Sequence, residues 1–478
     1  MKPALSFKPG DIVRLTIESL GGRGDGVARL GSVPVYIPLT APGDVADVLI
    51  GEARGEGIAG RLMTLIESGP ARQAAPCPYF GAKAGECGGC ALQHVAPGAY
   101  AAWKGGLVAT ELARHGLGDI PVAPMQAPAP GEAGALRRRV ALAAHRLDGK
   151  MLVGFHARAT RRVVPVASCL LLTPRLNRLI APLGRLLDTV LGQGERGQAA
   201  LADLDGAVDL LLASPRAPTP KLRTVLAAFA AEQGVTRISW RAYRGRFSAE
   251  VGGEDEETAP DGGAETMAQL GPCRVALAGV PVDFPPGGFL QPSRWGEAAL
   301  QRLVVSGIGE TKRVADLFAG LGTFSFALVG APAGQKKRTI HAFEGDAALA
   351  RALRESANRA GFSGKIVAET RNLDRRPLFA GETGSFEAVV LNPPRTGARA
   401  QCEALVEAKP TGPSRLVMVS CNPATLARDA RILVDGGWRV DGVTPVDQFP
   451  YSAHVEAVAV FTRTKAVVRR GGPPGRRQ

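Results

Sequence analysis

Ser420-Cys421-Asn422-Pro423 follows the apolar run Leu416-Val417-Met418-Val419, so a thiol stands in a polar turn just beyond a segment that reads as a buried strand. A cysteine in a turn that meets a helix can have its thiolate favoured and accessible, which makes it a nucleophile. The other common role, a small buried hydrophobe, suits Cys402 and Cys273 and fits poorly beside Ser420, Asn422 and Pro423. Sulfur that adds to C6 of a uracil creates an enolate whose charge reaches C5, and that carbon can then take a methyl group from a sulfonium. The C5 proton must afterwards leave. A carboxylate or histidine has to be within reach, and the run from Asp447 to His454 and Glu456 supplies candidates, of which Glu456 is the expected base. Its alternative role is that of a solvated strand residue.

A second pattern lies upstream. Val314-Ala315-Asp316-Leu317-Phe318 reads as a short buried strand that runs into Ala319-Gly320-Leu321-Gly322-Thr323 and a helix over Phe324 to Leu328. Strand, glycine turn and helix bring backbone close to a ligand at the carboxyl end of a parallel sheet. Thr339 to Phe343 reads as the next strand. Glu344 ends it about 20 residues beyond the glycines, where an acidic group can accept both ribose hydroxyls of a nucleoside cofactor.

These residues need a scaffold, and the chain is long enough for several domains at 478 residues. Residues 7–67 read as short β-strands broken at Gly21 to Gly26, the pattern of a small OB-like β-barrel of the kind that binds oligonucleotides. A helix is expected near Tyr100 to Ala113. A strand-rich middle includes Arg137 to Leu142 and Leu152 to Phe155, with Cys169 in a strand-like stretch. Residues 252–263 read as a solvated acidic loop, and from Val314 onward strand-like runs alternate with helical ones, the signature of a parallel α/β domain. With 58 basic against 44 acidic residues and a net charge of +14, the chain suits a polyanionic partner, nucleic acid first. No apolar run approaches the roughly 20 residues of a membrane span. Met1 to Phe7 has no export signal, so a cytoplasmic address is expected. Seven cysteines are too few and too uneven for a disulfide scaffold.

The longest strings, Ser420 through Asp429 and Asp447 through Phe449-Pro450 to His454-Val455-Glu456, resemble those of RNA uracil-5 methyltransferases that carry an N-terminal TRAM domain and an iron-sulfur cluster, near the bacterial type that acts on 23S rRNA. The resemblance spans nearly all of residues 7–463. It implies a TRAM domain over 1–67, a central domain with the iron-sulfur segment over 68–280 and a class I (Rossmann-like) catalytic domain over 281–465, while the composition of 466–478 reads as a disordered basic tail. It also implies Cys421 as nucleophile and Glu456 as base, with S-adenosyl-L-methionine held by Gln291, Phe318, Thr323, Glu344, Asn372 and Asn392. Asn392-Pro393-Pro394-Arg395 departs from the family's Asp-Pro-Pro-Arg, so a neutral amide replaces a carboxylate while keeping its shape.

Cys77, Cys87, Cys90 and Cys169 resemble the family's four ligands to a 4Fe-4S cluster, with extra residues within Ala82 to Glu86 expected to bulge as a loop. Four thiolates can also hold zinc, and likeness favours the cluster, as a clamp and RNA-facing element, since uracil methylation needs no electron. The expected substrate is an unpaired uracil swung out of its stack, in 23S rRNA, bound by a monomer. Arg137, Arg138, Arg139, Arg158, Arg161 and Arg162 are the expected phosphate contacts. Competing expectations are a transfer-RNA uracil-5 methyltransferase, an amino methyltransferase using Asn-Pro-Pro, a folate-dependent enzyme and a catalytically idle RNA-binding assembly factor.

Overall fold

The computed structural model describes residues 7–81, 86–129, 131–132, 136–242, 263–330, 338–408 and 412–463. Most of the expected loop over 252–263, most of the bulge over 82–86 and the basic tail over 466–478 lie outside these residues. The chain divides into two compact units. One comprises Met1–Ala109, Pro124–Ala299 and Pro445–Glu456, the other Thr110–Ala123, Leu300–Thr444 and Ala457–Gln478.

The first unit contains two large sheets. Six strands, Ile12–Thr16, Ser19–Leu20, Gly26–Leu30, Val33–Ile37, Val45–Arg54 and Gly57–Glu67, form an N-terminal sheet. Alternation of apolar and polar residues sends Leu15, Ala28, Val35, Ile37, Val48 and Ile50 into one core. Gly26 is required there, because a Cβ would fall 2.0 Å from Thr40 Oγ1. The second sheet has seven strands in the order Glu265–Gln269, Arg237–Ala242, Ala207–Ser214, Arg196–Leu204, Arg139–Leu147, Lys150–His156 and Val163–Pro165. Helix Pro174–Val190 covers it with Leu176, Leu179, Ile180, Leu183, Leu186, Leu187 and Val190, a stripe at helical spacing. Helix Pro97–Arg114 falls where the sequence predicts one.

The second unit carries a seven-stranded sheet in the order Ile366–Thr370, Thr339–Glu344, Arg313–Leu317, Ala388–Leu391, Arg415–Ser420, Glu456–Thr462 and Arg439–Val446. The first five are parallel, and Glu456–Thr462 runs antiparallel to Arg415–Ser420. Chain order starts at Arg313–Leu317, moves outward through two strands, then returns to the other side at Ala388–Leu391. The reversal opens a crevice at the carboxyl ends of these two strands, which is where doubly wound sheets bind ligands. Among the described residues no helix is long and apolar enough to cross a membrane.

Candidate active site

The carboxyl edge of the second unit's sheet gathers six of the expected residues. Strand Arg313–Leu317 is buried after its first residue and ends in Phe318, Gly320 and Gly322, all at positive φ (59°, 57° and 90°). Gly322 has no room for a side chain, since a Cβ would lie 2.9 Å from Phe326 and 3.0 Å from Leu353. A Cβ on Gly320 would meet nothing within 4 Å, so this part of the turn presents bare backbone to open space. Thr323 then starts helix Thr323–Gly330.

Glu344 closes the neighbouring strand. Its Oε2 accepts a 2.7 Å hydrogen bond from the Gly320 N–H and its Oε1 a 2.8 Å bond from the Asp346 N–H. Burial pushes its carboxyl above the ordinary range, against the pull of these N–H donors. Asp316, which the sequence reading passed over, is fully buried below the turn. Burial pushes its carboxyl up to about 7, although Ser325 Oγ donates to Oδ2 at 2.6 Å; Oδ1 has no hydrogen-bond partner among the described residues. Asn372 is exposed two residues past strand Ile366–Thr370, and its Oδ1 accepts from the Arg375 N–H at 3.0 Å.

Asn392 follows the buried strand Ala388–Leu391, and its N–H donates to Leu317 O at 3.2 Å. Cys421 follows strand Arg415–Ser420 and stands two residues before helix Pro423–Asp435, half-buried. Asn422 caps that helix, its side chain accepting from the Ala424 N–H at 3.1 Å. Its Nδ2 donates to Arg395 O at 3.1 Å and Thr425 Oγ1 to the same oxygen at 3.3 Å, so the Asn392 turn and the Cys421 turn are fastened together. A partial positive charge at the helix start favours a nearby thiolate.

Gln291 and Glu456 belong to the first unit. Both are buried, 5% and 6% exposed, so Glu456 is no solvated strand residue. Gln448 Nε2 donates to both: to Glu456 Oε1 at 2.9 Å and to Gln291 Oε1 at 3.0 Å. The main-chain oxygen of Gln291 accepts from Arg138 Nε at 3.2 Å, and Arg138 pairs with Glu297 at 2.6 Å. Arg138 is therefore a buried anchor, only 2% exposed, and the expectation that it contacts phosphate is corrected. Asp447 is held by Lys104 Nζ at 2.6 Å and by Tyr100 Oη at 2.8 Å, and Lys104 Nζ also donates to Phe449 O at 2.6 Å. Helix Pro97–Arg114 thus fixes the segment that leads to Glu456. By chain order Glu456 immediately precedes Ala457, whose strand partner is Ser420, the residue before Cys421.

The four expected cluster ligands come from three segments of the first unit and lie within electrostatic range of one another. Burial, and then the neighbouring thiols, push Cys90 up to about 12, and the same causes raise Cys87 and Cys169. Cys169 lies in a loop after strand Val163–Pro165, not in a strand-like stretch. Asn177 fixes it, accepting from the Cys169 N–H at 2.7 Å and donating to its oxygen at 2.9 Å. An all-sulfur donor set suits a cluster in kind. Among the described residues, however, no three His, Cys, Asp or Glu side chains stand in metal-holding geometry. Cys273 and Cys402 are buried packing residues, as expected.

Comparison with known proteins bears on both units. A family model described as tRNA (Uracil-5-)-methyltransferase matches residues 359–464, and one described as TRAM domain matches residues 6–60. An uncharacterized RNA methyltransferase of Rhizobium meliloti (strain 1021) is 35% identical over 451 residues, covering 94% of this chain and 99% of its own. The 23S rRNA (uracil(1939)-C(5))-methyltransferase RlmD of Chromohalobacter salexigens is 33% identical over 94% of this chain and 89% of its own. The crystal structure of Pyrococcus abyssi tRNA (uracil-54, C5)-methyltransferase in complex with S-adenosyl-L-homocysteine covers 94% of this chain and 100% of that one, with a TM-score of 0.68 at 20% identity, a likeness of fold.

Proposed function

Because the chain belongs to the family of TRAM-domain RNA (uracil-5-)-methyltransferases, we propose that it converts a uridine of RNA to 5-methyluridine with Cys421 as nucleophile and Glu456 as base. The observation that carries this reading is the placement of Cys421, beyond a buried strand, beside a helix start and on the sheet edge that also bears the glycine turn and Glu344.

S-adenosyl-L-methionine, when bound, would supply an electrophilic methyl group on a sulfonium for C5 of the activated ring. The open backbone at Gly320 and the anchored Glu344 would suit its nucleoside, and Phe318, Thr323, Asn372, Asn392 and Gln291 would complete its holding set. Cys421 Sγ adds to C6, and the C5=C6 electron pair moves toward C5 and O4. After transfer, Glu456 takes the C5 proton; the C–H pair restores the double bond and expels sulfur as thiolate. Asn392 keeps the shape of the family's aspartate and contributes hydrogen bonds without charge.

The RNA is read as 23S rRNA, the substrate named for the Chromohalobacter relative, with an unpaired uridine as target and a cytoplasmic monomer as the enzyme. A transfer-RNA target is the second reading, favoured by the family model over residues 359–464. Cys77, Cys87, Cys90 and Cys169 would hold a 4Fe-4S cluster that ties their segments together and takes no electron in the reaction; iron and acid-labile sulfide measured in anaerobically purified protein test this. Mapping 5-methyluridine in 23S rRNA and tRNA of cells with and without the gene tests the function. Loss from 23S rRNA alone supports the first target, loss from tRNA the second, and loss from neither refutes the activity.

A further inference from the structure

We infer that Gln448 is a positioning residue that ties the orientation of Gln291 to the charge on Glu456, an inference that rests on the proposed role of Glu456 as base. Gln448 is 2% exposed, and one amide nitrogen serves both neighbours, Glu456 Oε1 at 2.9 Å and Gln291 Oε1 at 3.0 Å. Its own Oε1 is buried with no hydrogen-bond partner among the described residues. The amide is seated against Gly296, where a Cβ would fall 2.5 Å from Gln448 Oε1 and 2.7 Å from its Cβ. The site is therefore closely fitted to the volume of this amide.

A carboxylate only accepts hydrogen bonds, so an ionised Glu456 forces Gln448 to face it with N–H. That same nitrogen then occupies Gln291 Oε1. Arg138 already holds the Gln291 main chain, so Gln291 directs its own N–H groups away from Gln448, and in its proposed cofactor role these are the groups it would offer. Once Glu456 has taken the C5 proton its hydroxyl becomes a donor. Gln448 must then turn Oε1 to it, and that oxygen meets Gln291 as an acceptor, which turns the Gln291 carbonyl outward. Gln291 thus offers donors before proton abstraction and an acceptor after it, and the demethylated cofactor is released more readily from the second state. Two charged pairs adjoin this relay: Arg138 with Glu297, which follows Gly296, and Lys104 with Asp447, which precedes Gln448, each at 2.6 Å.

Gln448→Met keeps the length of the side chain and removes both hydrogen bonds. Calorimetric binding of S-adenosylhomocysteine to the full chain, from roughly pH 4 to 8, should show wild-type affinity falling toward acid as Glu456 takes up a proton. The variant should bind about tenfold more weakly at high pH and lose that dependence. Its methyl-transfer kcat should fall and the acid limb of the pH profile move to higher pH, with KM for RNA unchanged. Gly296→Ala, which crowds the same amide from its other side, should shift both profiles the same way and decides the matter if Gln448→Met does not fold. A folded variant with the wild-type pH dependence of binding and of kcat overturns the relay. Failure of the base assignment would show separately, as wild-type turnover by Glu456→Gln.

Discussion

Glu344 Oε2 accepts a hydrogen bond from the Gly320 N–H at 2.7 Å, so the acidic end of one strand holds the glycine turn at the end of its neighbour. One carboxylate then shapes the glycine turn and, in the proposed site, would also meet the ribose. Glu344→Ala should weaken S-adenosylmethionine binding by roughly tenfold to a hundredfold, the worth of a charge-assisted hydrogen bond. Calorimetry reads this directly, and unchanged affinity would remove Glu344 from the cofactor site.

Cys421→Ala should lower methyl transfer to below about a thousandth of wild type and abolish covalent adducts with 5-fluorouridine-bearing RNA. Glu456→Gln should slow turnover on the order of a hundredfold to ten-thousandfold and let the adduct with ordinary RNA accumulate, because sulfur leaves only after the C5 proton does. Denaturing gels separate the two outcomes. An adduct that persists in Cys421→Ala would place the nucleophile elsewhere.

Asp316 predicts a pH effect on stability. Its carboxyl is pushed from 3.8 to about 7 by burial, so the folded protein holds this proton across that interval while the unfolded chain has released it. The group's contribution is complete below pH 3.8 and declines as pH rises to about 7, a loss on the order of 4 kcal/mol. Asp316→Asn should lack this decline. Denaturant midpoints of the two proteins should therefore diverge with rising pH in favour of the variant, then run parallel above neutrality.

The arginines sort by burial. Arg161 and Arg162 are exposed, and replacing both with Ala should lower RNA affinity and flatten its dependence on salt by about two units of slope. Arg138→Ala should instead destabilise the fold by roughly 3–5 kcal/mol, because Glu297 would be left buried and unanswered. Filter binding across a salt series and urea unfolding distinguish the two classes.

The strands at the carboxyl edge were legible because fully buried parallel strands read as unbroken apolar runs ending in turn residues. Cys421 and Glu344 stood at such ends, and the glycine spacing pointed to the turn between them. Pairings over long separations were not legible. Arg137, Arg138 and Arg139 look alike in sequence; Arg138 differs only because its carboxylate partner lies 159 residues away. Lys104 and Asp447 are 343 residues apart, and neither sits in a pattern that announces the other. Cys169 follows the apolar run Val163-Val164-Pro165-Val166 but lies past the strand's end, held by an asparagine eight residues on.

Asn422 caps one helix and grips Arg395 O, which makes the Cys421 turn and the Asn392 turn a single mechanical part. A designer who reshapes residues 392–396 to admit a different pyrimidine would therefore drag the sulfur along. New selectivity would have to be selected from libraries that vary both loops at once, since changing either alone detunes the other.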